Sequence, residues 1–227
     1  MKRTHGFTLL EMAMVLLIVG LLIGGLLGPI SAQVEQRRVS DTQKALEEIK
    51  AALLGYAAIH RSLPCPSREA NPASPDYGEP VDNCDTAPLE GYLPWKALGV
   101  AETDAWGLVR TTPGSPWTGY WRYRVDAAFS TPMATITPIT LDTVPANNLT
   151  VQNNAGTTLT SIEPEQRPVA IIYSTGPNGR ADGRNAPMDN IYEQDVPRLS
   201  PAEFDDITVW LSPPALFNHL VAAGRLP

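Results

Sequence analysis

Charge is missing near the start of this chain: residues 12–34 contain no Asp, Glu, Lys, Arg or His. The run is long enough for a helix to cross a hydrocarbon core, which needs ~20 apolar residues, so the chain begins with a membrane anchor or a signal. Histidine is scarce, with His5, His60 and His219 only. Neither His60 nor His219 has an adjacent carboxylate or nucleophile in a catalytic arrangement. There is no His-Glu-x-x-His, no Gly-x-Ser-x-Gly and no dinucleotide fingerprint. Those absences speak against an enzyme, and a membrane-anchored hydrolase stays as the alternative of another class. Two cysteines without histidines beside them are too few for a structural zinc site. With 17 basic residues against 24 acidic ones the formal charge is −7, the wrong sign for a nucleic-acid partner.

What is present begins with a short basic head, Lys2 and Arg3, then Gly6-Phe7-Thr8-Leu9-Leu10-Glu11 and the uncharged run. An ordinary secretory signal has a shorter apolar core and a small-residue cleavage site after it. A carboxylate at the edge of a bilayer is costly and implies a partner, so Glu11 is the functional candidate of this segment. The Gly-Phe junction, the Glu five residues into the chain that follows it, and the charge-free run together resemble the signal of type IV pilins and type II secretion pseudopilins. That resemblance implies that prepilin peptidase cuts between Gly6 and Phe7 and that Phe7 becomes N-methylated. It also implies that Glu11 faces the N-terminal amine of a neighbouring subunit during assembly. A plain signal anchor, with Glu11 at the interface, is the competing reading.

The expected organisation is a cytoplasmic leader at 1–6, a transmembrane and assembly helix at 7–33, and a periplasmic globular domain at 34–227. The positive-inside tendency keeps Lys2 and Arg3 in the cytoplasm and puts the rest across the inner membrane. Loss of those two cations with the leader takes the formal charge from −7 to −9. In the periplasm disulfides persist, so Cys65 and Cys84 either bridge or stand as two thiols.

Leu46, Ile49, Leu53 and Tyr56 recur at helical spacing with Glu47, Glu48 and Lys50 between them. One long helix over 7–60 is predicted, apolar all round in its first half and amphipathic in its second. Gly20, Gly24, Gly25, Gly28 and Pro29 interrupt it, either allowing close helix packing or letting the segment bend. The 22 prolines and 17 glycines imply a loop-rich domain beyond it. Strand signals follow at 120–125, 134–139, 157–162, 169–174 and 207–211, the second carrying Pro138. No helix separates them, so antiparallel pairing against the long helix is the economical arrangement. The expected fold is therefore α+β and pilin-like, a long N-terminal helix packed on an antiparallel sheet. Ser212, Pro213 and Gly224 fit the cap, first turn and stop of a final helix, with Leu216, Leu220 and Phe217 or Ala223 on its packed face. Trp95 and Trp106 are expected to be packing anchors.

Residues 175–185, Thr-Gly-Pro-Asn-Gly-Arg-Ala-Asp-Gly-Arg-Asn, are glycine-rich but lack the Lys-Ser or Lys-Thr of a phosphate-binding loop. Here the chain resembles the major pseudopilins, in which a Gly-Pro-Asp/Asn-Gly turn and later acidic residues hold calcium. The resemblance implies Asn178, Asp182, Asp205 and Asp206 as ligands. Leu-Pro-Cys-Pro at 63–66 and Leu-Pro-Trp at 93–95 also resemble pseudopilin-like proteins. These features, and the lack of a C-terminal cysteine pair, favour a type II secretion pseudopilin over a minor type IV pilin serving adhesion, motility or DNA uptake. Length and long loops suggest a minor subunit, and Glu11 argues against the tip position. The implied partners are prepilin peptidase, other pilin or pseudopilin subunits, the inner-membrane assembly platform and the membrane itself.

Overall fold

The structure is a computed structural model that describes residues 8–84, 89–130, 138–187 and 189–226, and of 22–29 the backbone alone. Gly6 and Phe7 lie outside the described residues, as does most of the strand predicted at 134–139. The chain falls into two units, Met1–Asp41 and Thr42–Pro227.

The first unit holds the start of helix α1, Leu9–His60. Helical backbone continues through Gly24, Gly25 and Pro29. Leu9, Leu10, Leu16, Leu17 and Leu21 are exposed, Leu9 by 92%. Among the described residues no helix is long and apolar enough to cross a membrane. The uncharged run at 12–34, from which a span was expected, includes 22–29, whose side chains lie outside the described residues.

In the second unit α1 becomes one-sided. Leu46, Ile49, Leu53 and Ala57 are buried at intervals of three and four, while Glu47, Glu48 and Ala51 between them face solvent. Against this stripe lies a four-stranded antiparallel sheet in the order β1 (Glu90–Tyr92), β2 (Arg122–Val125), β4 (Ala170–Ser174), β6 (Ile207–Leu211). Its register pairs Tyr123 with Ile172 and Ile172 with Val209. Every residue of β4 is buried, because both faces of the sheet are covered. Ala170 and Ile172 join α1, Leu211, Leu216 and Leu220 on one face. Ile171 and Tyr173 join Leu149, Val151 and Tyr192 on the other. That double coverage is why β4 reads as an unbroken apolar run while β2 alternates.

The second face is roofed by a two-stranded sheet of β3 (Thr150–Gln152) and β5 (Ile191–Glu193), which pair in parallel. Neither strand stood out in the sequence; the antiparallel sheet expected against the long helix is the four-stranded one, and this parallel pair is an addition to it. The chain between them passes through β4 and returns, so β5 arrives alongside β3 in the same direction. The strand expected at 157–162 is a turn and a single bridge: Thr158 meets Gln152 after the reversal at Asn153–Gly156. Strands of three residues each leave too short an alternation to read.

Cys65 and Cys84 form a disulfide with Cα atoms 5.8 Å apart. The loop it closes leads to β1, where Ser67 bridges Tyr92 and covers the outer edge of the sheet. Trp95 opens a single-turn helix α2, Trp95–Leu98, and is buried with Tyr77 and Tyr120, whose hydroxyls share a hydrogen bond of 2.7 Å. Gly78, at φ +79, lies so close under the Trp95 indole that a Cβ would sit 2.5 Å from the ring. Trp106 is half-buried. The chain ends in α3, Pro213–Ala222, which buries Leu216 and Leu220 and stops before Gly224 at φ +66.

Candidate functional site

Two places gather the residues that the sequence singles out. The first is the start of α1. Thr8 Oγ1 accepts the backbone N–H of Glu11 at 3.2 Å, and Glu11 Oε2 accepts both Thr8 N–H and Thr8 Oγ1–H at 2.8 Å. This is a reciprocal capping box: each side chain satisfies a backbone donor that the first helical turn would leave open. One oxygen of Glu11 takes both bonds.

The second is the loop between β4 and β6. Asp182, Asp205 and Asp206 bring one carboxylate oxygen each to within 4.8 Å of one another. Two oxygens sharing a calcium at about 2.4 Å can lie no more than about 4.8 Å apart, so the spacing fits such an ion. Asp182 Oδ2 accepts Asn178 Nδ2–H at 2.8 Å and Asp205 N–H at 3.2 Å. Asp205 Oδ2 accepts Asn178 N–H at 3.3 Å. Asp206 is 3% exposed. Its Oδ2 accepts Asp182 N–H and Asn185 Nδ2–H, at 3.0 and 2.8 Å, while its Oδ1 is buried with no hydrogen-bond partner. Burial, reinforced by the neighbouring Asp182 and Asp205 charges, pushes the Asp206 carboxyl up to about 7. A buried acceptor without a donor, on one of three converging carboxylates, has the chemistry of a hard-cation ligand.

Local backbone makes this convergence possible. Gly176 turns at φ +57, and a Cβ there would lie 2.4 Å from Asp205 Oδ1 and 2.5 Å from the Asp205 carbonyl. Only glycine lets Asp205 fold down onto the turn. Asp182 ends the extended stretch before a 3-10 turn at Gly183–Asn185. Asp205 and Asp206 immediately precede β6 and are held by its pairing with β4. Of the four residues named from sequence, the three aspartates meet. Asn178 stands beside them with its amide nitrogen toward Asp182 and its oxygen on Arg180 N–H at 2.7 Å. In this geometry its amide nitrogen donates to the cluster and its oxygen accepts from the turn.

Residues 1–27 match the family described as the prokaryotic N-terminal methylation motif. The chain carries a prepilin-type signal. No curated protein and no solved structure matches it. The prepilin-type signal is that of type IV pilins and pseudopilins and points to a structural, pilin-like protein. It implies processing by prepilin peptidase and assembly with other pilin subunits, and suggests anchoring in a membrane through the N-terminal helix. The match ends at residue 27 and covers nothing of the loop between β4 and β6.

Sequence reasoning missed Asn185 and Glu193. Asn185 is buried and touches both Asp206 and Glu193, and Glu193 is buried against Arg198 at 2.6 Å. An asparagine three residues after an aspartate in a glycine-rich turn was the available signal for Asn185. For Glu193 there was none, since a lone glutamate in a polar stretch looks solvated.

Proposed function

We propose that this chain is a minor pseudopilin, a structural subunit of the periplasmic filament of a type II secretion system. Prepilin peptidase removes residues 1–6 by cutting between Gly6 and Phe7, and Phe7 is then N-methylated. Residues 7–33 hold the subunit in the inner membrane as a single pass and later join the filament core, with residues 34–227 in the periplasm. The observation that carries this reading is the prepilin-type signal at the head of a helix that continues to His60 and buries Leu46, Ile49, Leu53 and Ala57 in the second unit's core. In the filament core, the Glu11 carboxylate pairs with the cationic amine of Phe7 on a neighbour. Either charge left alone in that apolar setting is expensive, so the pair sets the register between subunits. Burial of the exposed leucines of α1 supplies the bulk of the association.

The support for secretion over a pilus is the Leu-Pro-Cys-Pro segment with its bridged cysteine, the Leu-Pro-Trp segment before β2 and the Gly-Pro-Asn-Gly turn. Calcium, bound by Asp182, Asp205 and Asp206, belongs to the same reading. The ion would join the loop after β4 to the entrance of β6 and neutralise three carboxylates whose mutual repulsion the fold otherwise bears.

A deletion strain, complemented with wild type or Glu11→Ala, tests the assignment. Export of folded proteins should fail in the deletion while twitching and DNA uptake continue. The Glu11→Ala chain should be inserted and cleaved, shown by its size on a gel, yet fail to crosslink to neighbouring subunits of the periplasmic filament. Lost twitching with intact export would place the chain in a type IV pilus, and normal filament incorporation of Glu11→Ala would sink the pairing mechanism.

A further inference from the structure

Asn185 is 1% exposed, and its amide spends every hydrogen-bonding group on two neighbours of the carboxylate cluster and on the cluster itself. Oδ1 accepts the Glu193 backbone N–H at 2.8 Å. Nδ2 donates to Asp206 Oδ2 at 2.8 Å, to the Glu193 carbonyl at 3.2 Å and toward Thr208 Oγ1 at 3.4 Å. The amide thus bonds the main chain of Glu193 in both directions, as a strand neighbour would, which removes its freedom to turn. Glu193 is itself fixed, its carboxylate taking Arg198 Nη2 at 2.6 Å and Arg184 N–H at 3.2 Å. The cluster therefore rests, through one side chain, on β5 and β6 together.

We propose that Asn185 is the positioning residue of the candidate cation site: its amide fixes Asp206 by one oxygen and leaves the other, buried and without a hydrogen-bond partner, for the ion. This inference rests on the calcium reading above. A neutral donor suits the task better than a cation. Lysine or arginine at this place would pair with Asp206 and cancel the charge that attracts the ion, whereas an amide fixes the carboxylate and leaves the charge in place. Asp182 N–H shares Oδ2 with the amide, but that bond runs within the cluster, between two of the candidate ligands. Asn185 is what ties that oxygen to the sheet.

Calcium chloride titrated by calorimetry into the full-length chain in detergent decides the matter. Partners that orient metal ligands are worth about 10–100-fold in metal affinity, and Asn185→Ala should weaken calcium binding by that factor. Thr208→Val removes an acceptor of the same amide without touching Asp206. It should lower the melting temperature of the calcium-free chain and leave the affinity within about threefold. A role in stability alone would move both variants' melting temperatures and neither affinity. Should Asn185→Ala fail to fold, Asn185→Ser keeps a polar atom in the pocket but is too short to hold Asp206, and the same loss is expected. Wild-type affinity in a folded Asn185 variant overturns the positioning role and leaves the calcium reading standing. A wild-type chain that binds no calcium overturns both.

Discussion

Glu11 meets two demands with one carboxylate. In the single subunit Oε2 closes the capping box with Thr8, which leaves Oε1 to meet an amine from outside without unwinding the first turn. Thr8 therefore belongs to the assembly argument as the residue that keeps Glu11 at the helix start. At the other site the critical residue has no side chain. Gly176 has φ +57, and the Asp205 carboxylate and carbonyl occupy the space a Cβ would need. Gly176→Ala should cost about 1–2 kcal/mol from the left-handed backbone alone. It should also displace Asp205, so that calcium no longer raises the melting temperature. A variant with lowered melting temperature but an undiminished calcium shift would show that Asp205 is not a ligand.

Elements were legible in proportion to the length of their pattern. β6 and β4 were found because five consecutive residues carried a signal, rich in β-branched and aromatic side chains in one and a fully covered apolar run in the other. α3 declared itself through Ser212, Pro213 and Gly224, although the Ser212 hydroxyl makes no capping bond. β1, β3 and β5 have three residues each and owe their extension to partners far away in sequence, which no local pattern records. The same limit applied to the candidate site. Aspartates at 182, 205 and 206 could be named as acidic, but only the β4–β6 register brings them together. The disulfide is the exception, for two cysteines admit one pairing. It closes a loop with a sequence separation of 19, and in the chain-entropy model that constraint is worth about 3 kcal/mol. Replacing Cys65 and Cys84 by serine should lower the stability of the folded chain by about that amount in a urea titration. Indistinguishable unfolding midpoints would mean that the packing of Tyr77, Trp95 and Tyr123 against this loop already holds it.

For the whole molecule, the carboxylate cluster makes stability depend jointly on pH and calcium. Asp206 in the folded, calcium-free chain holds its proton up to about 7, whereas an unfolded aspartate releases it near 3.9. Its folded value is raised, so its contribution is fully present below about pH 4 and is lost as pH climbs through about 7. Across that window the folded state binds one more proton than the unfolded state, and this single group can account for a slope of up to about 1.4 kcal/mol per pH unit. Asp104 acts in the same sense, its carboxyl being raised by burial beside Ser174, whose hydroxyl it accepts at 2.5 Å. Calcium reverses the sign of the problem at Asp206, since the ion requires the ionised form and competes with the proton. Thermal melts of the full-length chain in chelator should therefore show falling stability between pH 4 and 7. The calcium-induced rise in melting temperature should be small at pH 4 and large at pH 7. Asp206→Asn should flatten the chelator profile over that window apart from the Asp104 share, and abolish the calcium-induced rise. If the chelator profile of wild type and Asp206→Asn were parallel, the buried oxygen of Asp206 would not be the group that couples the cluster to pH.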